Sequence, residues 1–217
     1  MKNIFVILLI VTNCLLFAQE VEKTTFLSSS EFGVYGGASF NTLSHIYGSV
    51  YFEAKTNLSS NIKIKLSAGY YQIFSFDQYT VNTYKYVHID DYKKYNTITY
   101  DVLKTKYEVI PLAFGAQFIL LNHNASAYYV FFDASYNLID PLTYQTPEIT
   151  MGEYDSLTDI PSNYKNLRVL PNNSYGLALG VGSNYQLFSS FSLDIRYFYK
   201  YDSKIINTHQ LLIGVVF

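Results

Sequence analysis

Eight times along this chain, apolar side chains recur on every second position. That spacing gathers them on one face of a β-strand and scatters them around a helix. The clearest instance is 61–73, where Ile62, Ile64, Leu66, Ala68 and Tyr70 alternate with Lys63, Lys65, Ser67, Gly69 and Tyr71. The others are 31–41, 46–56, 106–120, 126–138, 173–186, 191–201 and the last eleven residues, 207–217. An all-β chain of eight antiparallel strands is therefore expected.

The connections alternate in length. Those near 57–60, 122–124 and 188–190 are tight and polar, whereas 74–105 and 139–172 are long. Tight turns at one end and long loops at the other describe an up-and-down barrel in a membrane. An even strand count brings both termini to the tight-turn end. Strands of about eleven residues match the ~9–11 that a tilted crossing requires. The first long connection keeps β character at 79–89 and 95–106, which predicts a hairpin projecting beyond the membrane. Pro111 lacks a ladder donor, so a bulge is expected there.

The two faces decide which side meets lipid. The polar parity carries Gly33, Gly37, Ser39, Ser49, Ser67, Gly69, Ala113, Gly115, Gly176, Ala178, Gly180 and Gly182 among long charged residues. Such a mixture suits the crowded lumen of an eight-stranded barrel, and the bulky charge-free parity suits lipid. A soluble lipocalin-like barrel, the rival, would put the apolar face inside. The lumen set is Glu53, Lys63, Lys65, Asp133, Asp194, Arg196 and Lys200, with Gln210 and Thr208 facing the same interior. A turn at 57–60 sets Glu53 opposite Lys63 or Lys65. Arg196 falls across from Gly180 or Gly182, leaving room for its guanidinium. Charges without water must be paired, so a static plug is expected in preference to a gated pore.

Aromatic residues make up 18% of the chain, with 23 Tyr and no Trp, which suits strand ends at a membrane interface. The formal charge of −2 and the lack of a basic stripe exclude nucleic acid as a partner. Residues 1–18 read as a secretory signal peptide, with Lys2 before an apolar run and Ala18 at its end; 19–30 is a short periplasmic lead and 31–217 the barrel. The only cysteine, Cys14, lies within that apolar run; a lipoprotein signal acylated at Cys14 is the lesser alternative. No other stretch is apolar enough for a helical span, so any insertion is by strands.

With its signal peptide, eight alternating strands, unequal connections and terminal Phe217, the chain resembles the small eight-stranded outer-membrane barrel family. It is similar in plan to OmpX and to the transmembrane part of OmpA, without the domain that follows the barrel in OmpA. The resemblance implies an outer-membrane location and a closing-strand signature, Leu211, Ile213, Val215 and Phe217, read by the barrel-assembly machinery. It also implies contact with outer-membrane lipids and lipopolysaccharide. The Tyr-, Asn- and Asp-rich loops 74–105 and 139–172 are candidates for an extracellular partner. The expected role is non-enzymatic, structural or in surface interaction. A narrow porin or transport accessory is the alternative, and a lipid-modifying enzyme the third. His45, His88 and His123 lie in connections, His209 faces lipid, and a deacylase-like histidine–x–serine would need serine where Leu211 stands. No cofactor is expected, and Asp90, Asp91 and Asp140 show no calcium-site spacing, so no metal is expected either.

Overall fold

The computed structural model describes residues 30–41, 45–89, 92–123, 125–165, 169–188 and 191–217. The expected signal peptide, most of the expected lead, Cys14 and the Asp90–Asp91 pair lie outside them. The strands are β1 (Ser30–Phe40), β2 (Ile46–Asn57), β3 (Ile62–Ser75), β4 (Tyr79–Ile89), β5 (Tyr92–His123), β6 (Ser126–Gln145), β7 (Ile149–Tyr154), β8 (Asn173–Gln186), β9 (Ser192–Asp202) and β10 (Thr208–Val216). A 3₁₀ turn, Ser162–Tyr164, stands between β7 and β8.

Eight of these strands close a ring in the order β1, β2, β3, β5, β6, β8, β9, β10, every pair antiparallel. The register can be followed once around the wall. Ser30 pairs with Thr56, then Ile64, Ala116, Phe132, Leu179, Tyr199 and His209, and the circuit returns to β1 at Phe40. That offset, from Ser30 to Phe40 on one strand, is the stagger that tilts the strands and sets the diameter. The seam between β1 and β10 is closed by reciprocal backbone bonds, Phe32 N–H to Phe217 O at 2.8 Å and Phe217 N–H to Phe32 O at 2.9 Å.

β4 and β7 stand outside the ring. Both pair with the first part of β5, residues 92–102, while β5 from Thr105 onward belongs to the wall. The expected hairpin is thus β4 with the start of β5. The connection read as 139–172 is partly strand: β6 runs on to Gln145 along β5, through Tyr107↔Pro141, and β7 follows.

Pro111 needs no bulge. The register of β5 against β3 is the same on both sides of it, and the ladder lapses only beside it, between Ala68↔Leu112 and Tyr71↔Val109. Pairing with β6 continues unbroken through Pro111↔Asn137. A residue without an N–H loses bonding toward one neighbour only. The irregularities of β5 fall elsewhere, at Val102/Lys104 and Ile119/Leu121.

Candidate functional site

Alternation is the local rule that builds the site. On β9, Asp194, Arg196, Phe198, Lys200 and Asp202 point inward and are buried, while Ile195, Tyr197, Tyr199 and Tyr201 are exposed on the outside. β10 repeats this, with Thr208, Gln210, Leu212 and Val216 buried, and Leu211, Ile213, Val215 and Phe217 exposed. Around the wall the exterior carries Leu66, Phe114 and Leu179 at 58–65% exposure. A soluble barrel does not leave such a continuous apolar band in water. On β8 the band runs between the exposed rings of Tyr175 and Tyr185. Ten residues of tilted strand at ~3.3 Å rise give a height of about 25 Å, the thickness of the apolar band of an outer-membrane barrel. This is the architecture of a small outer-membrane β-barrel.

No protein-family model matches the sequence. No curated protein matches it either. Among solved structures, it is similar to Neisserial surface protein A at 12% identity and a TM-score of 0.49, covering 86% of this chain and 94% of that one. It is similar to a major outer membrane protein from Thermus thermophilus at 13% identity and a TM-score of 0.46, covering 87% and 98%. The attachment invasion locus protein Ail of Yersinia pestis aligns at 10% identity and a TM-score of 0.43, over 87% and 97%. These likenesses concern fold alone.

Inside the wall, ions and aromatic rings fill the lumen. Arg196 binds Glu53 in a two-pronged fork, Nη1 to Oε2 at 2.7 Å and Nη2 to Oε1 at 3.1 Å. Its Nε reaches Asp194 Oδ1 at 3.1 Å. Lys55 lies 3.1 Å from Glu53 and 3.6 Å from Asp194. Lys65 lies 3.4 Å from Glu53 and 2.9 Å from Asp133. Three carboxylates therefore meet three cations. Their side chains are at most 3% exposed, except Asp133 at 13%. Buried charge persists only when balanced and hydrogen-bonded in this way. Tyr129 donates to Asp194 at 2.6 Å and Tyr35 to Glu53 at 3.3 Å. The Arg196 guanidinium lies 3.9 Å from the Tyr35 ring centre, and the Lys65 ammonium 3.7 Å from that of Phe131. Desolvated cations gain from such faces.

Lys200 belongs to a second, separate cluster. It donates to Asn137 at 3.0 Å, and Asn137 and Ser174 each donate to Asp202 at 2.7 Å. Lys63 is farther out, at the tight-turn end, where it pairs with a half-buried Glu31. Gln210 accepts from Tyr51 at 2.8 Å and donates to Thr208 at 3.3 Å.

Two expectations about this interior need correction. Glu53 stands opposite Ser67, and Lys65 opposite Lys55. The turn spans 58–61, with the N–H groups of Leu58 and Ser59 both bonding Ile62 O, so the register lies two residues beyond the nearer expected pairing; Lys65 reaches Glu53 on the diagonal. Arg196 does pair with Gly182, but the space there holds a different side chain. A Cβ on Gly182 would come within 2.4 Å of the Tyr129 Cζ and hydroxyl. The same close approach recurs at Gly69, under Tyr51, and at Gly33 and Gly214, under Tyr35. Interior glycines thus make room for tyrosines, Gly69, Gly182 and Gly214 for one from the neighbouring strand and Gly33 for Tyr35 of its own strand, and the guanidinium turns toward Glu53.

Sequence reading also missed Lys55, Glu31 and Asp202. Each shares the inward parity of residues that were recognised, so the signal was present. The buried Tyr35, Tyr51, Tyr71, Tyr129, Phe131 and Phe198 were less visible, because tyrosine suits an interface equally well. Their pairing with glycine emerges only once the register is known.

The packing leaves a lumen cavity of about 30 Å³, bordered by Glu53, Lys65, Asp133, Ser135, Arg196 and Lys200. That is room for roughly one or two waters among several polar groups. No group of three or more His, Cys, Asp or Glu among the described residues is placed to hold a metal ion. On the lipid-facing side His209 Nδ1 lies 2.7 Å from the Tyr197 hydroxyl, stacked between Phe40 and Tyr197.

Proposed function

We propose that the protein is a non-enzymatic resident of the bacterial outer membrane that does not conduct, and that it acts through the sheet it raises outside the cell. The carrying observation is the filled lumen: six balanced ions and overlying rings occupy the interior beside a cavity of about 30 Å³. A hydrated ion needs far more room than a cavity for one or two waters offers.

The outward role falls to β4, β7 and the first part of β5. Their Tyr84, Tyr86 and Tyr95 rings form a ladder with centroids 5.5–6.1 Å apart, and Tyr86 is half exposed. Tyrosine offers large contact area at low entropic cost. Among the described residues β4 pairs with no strand but β5, so its other edge offers backbone donors and acceptors to an extended segment of a partner. Outer-membrane lipids and lipopolysaccharide surround the wall, and the barrel-assembly machinery receives the exposed Leu211, Ile213, Val215 and Phe217 during insertion.

Planar-bilayer recording of the refolded chain tests the closed lumen. Silence is expected, and stable unitary channels enlarged by Arg196→Ala would overturn it. Replacing 79–102 and 146–170 with short turns tests the surface role: loss of cell-surface adhesion with normal insertion is expected, and unchanged adhesion would defeat the reading.

A further inference from the structure

The interior bridges are not spread evenly around the wall. Glu53 on β2 and Arg196 on β9 are separated along the ring by β1 and β10, the two strands that meet at the seam. Their fork therefore passes over the seam as a chord. Two more bridges take the same route: Lys55 on β2 to Asp194 on β9 at 3.6 Å, and Tyr51 on β2 to Gln210 on β10 at 2.8 Å. Tyr35 on β1 lies beneath the chord, its ring against the guanidinium and its hydroxyl on Glu53. Close packing over Gly214 on β10 holds that ring across the seam itself.

The charges also divide at this line. Within the six-ion cluster, the strands before β5 contribute Glu53, Lys55 and Lys65, a surplus of one positive charge. The strands after it contribute Asp133, Asp194 and Arg196, a surplus of one negative charge. Neither half balances its own ions. Lys65–Asp133 cancels the two surpluses over β5, whereas the Glu53–Arg196 and Lys55–Asp194 contacts form only when the sheet has curled far enough for β1 to meet β10.

We infer that the Glu53–Arg196 chord, with Lys55–Asp194 and Tyr51–Gln210, is a closure lock that holds the β1–β10 seam shut from inside the barrel. Backbone bonding at the seam is no denser than at any other strand pair. The lock makes the seam, where the first and last strands of the wall meet, as hard to open as the rest of the wall. Lys65–Asp133 serves as an internal control: it joins β3 to β6 over β5 and does not cross the seam.

The test is made in the full chain carrying Cys14→Ser, with Val34→Cys and Val215→Cys as a switchable seam staple. These residues are direct partners on the exterior, and a cross-strand pair spaced ~4.5–5.5 Å lies within disulfide reach. The chain is refolded into dilauroylphosphatidylcholine vesicles. Unfolding in urea is followed by loss of the compact band on unheated gels. Glu53→Gln with Arg196→Met removes one charge of each sign, leaving no uncompensated ion. With the staple reduced, unfolding is expected to accelerate roughly tenfold; with it oxidised, the rate is expected to return to within about twofold of the parent. Lys65→Met with Asp133→Asn is expected to accelerate unfolding as well, but without rescue by the staple. Should the first pair not refold, Gln210→Leu, which cuts the Tyr51 bridge and a bond to Thr208 within β10 but no ion pair, takes its place with the same pattern of rescue. Equal rescue of both sites, no rescue of either, or no acceleration by the chord variants would overturn the lock.

Discussion

β5 passes through two environments, and its halves obey different rules. In the wall, Ile110, Leu112, Phe114, Ala116 and Phe118 face out, while Val109, Pro111, Ala113, Gly115 and Gln117 face in. Above the rim, between β4 and β7, successive residues Thr97 and Ile98 are both buried although they point to opposite faces. The wall separates lipid from a polar lumen, so its alternation sorts side chains by chemistry. The projecting sheet has no such difference across it, so its alternation sorts nothing. Ion pairs follow the same division. Those of the lumen are buried and interlocked, whereas Lys85–Glu148 at 2.6 Å and Lys94–Glu153 at 3.2 Å are open to solvent.

The largest effect should come from breaking the lumen on one side only. Glu53→Ala strands Arg196, Lys55 and Lys65 around an absent carboxylate. It is expected to cost about 3–5 kcal/mol, read from urea unfolding in vesicles. A smaller loss should follow Gly69→Val, whose Cβ would enter the Tyr51 ring. Overpacking costs about 1–3 kcal/mol, and Tyr51→Leu in the same chain should recover much of it by vacating the space. Removing β4 and the first part of β5 by joining Asp77 to Lys104 should leave the heat-modifiable gel shift of the barrel in place. Loss of the shift would show that sheet and wall fold as one unit. At the low end, Lys85→Ala should change stability by no more than about 0.5 kcal/mol, because its pair is exposed and screened. A loss as large as that of Glu53→Ala would erase the distinction between the two regions.

Period-two alternation made the wall legible. From Phe32 to Phe217, residues assigned to the lipid side face outward, since one parity must serve one solvent along a whole strand. The upper end of the wall was harder to read: burial on β6 still alternates past Leu138, but Asp140 interrupts the apolar outward parity and Pro141 follows it, so Ile139–Gln145 passed for loop although it pairs with β5. Within the lumen, parity identified Glu53, Lys65, Asp133, Asp194 and Arg196 as neighbours in a crowded interior. Who touches whom depends on register, and a turn displaced by one residue, which shifts the register by two, was enough to move Glu53 from opposite Lys65 to opposite Ser67. The glycine–tyrosine pairs Gly69–Tyr51, Gly182–Tyr129 and Gly214–Tyr35 were hidden for the same cause, since each partner is contributed by a different strand.

β5 is one strand of 32 residues, continuous from the tight-turn rim to the outer tip of the sheet. A tug on the tip by a bound partner would be carried along the strand axis into its ladders with β3 and β6. Antiparallel ladders loaded lengthwise must break many bonds together, whereas ladders peeled from an end yield one at a time. The projecting sheet is therefore anchored like a stake driven the full depth of the wall, and attachment at its tip would load the barrel in its mechanically strongest direction.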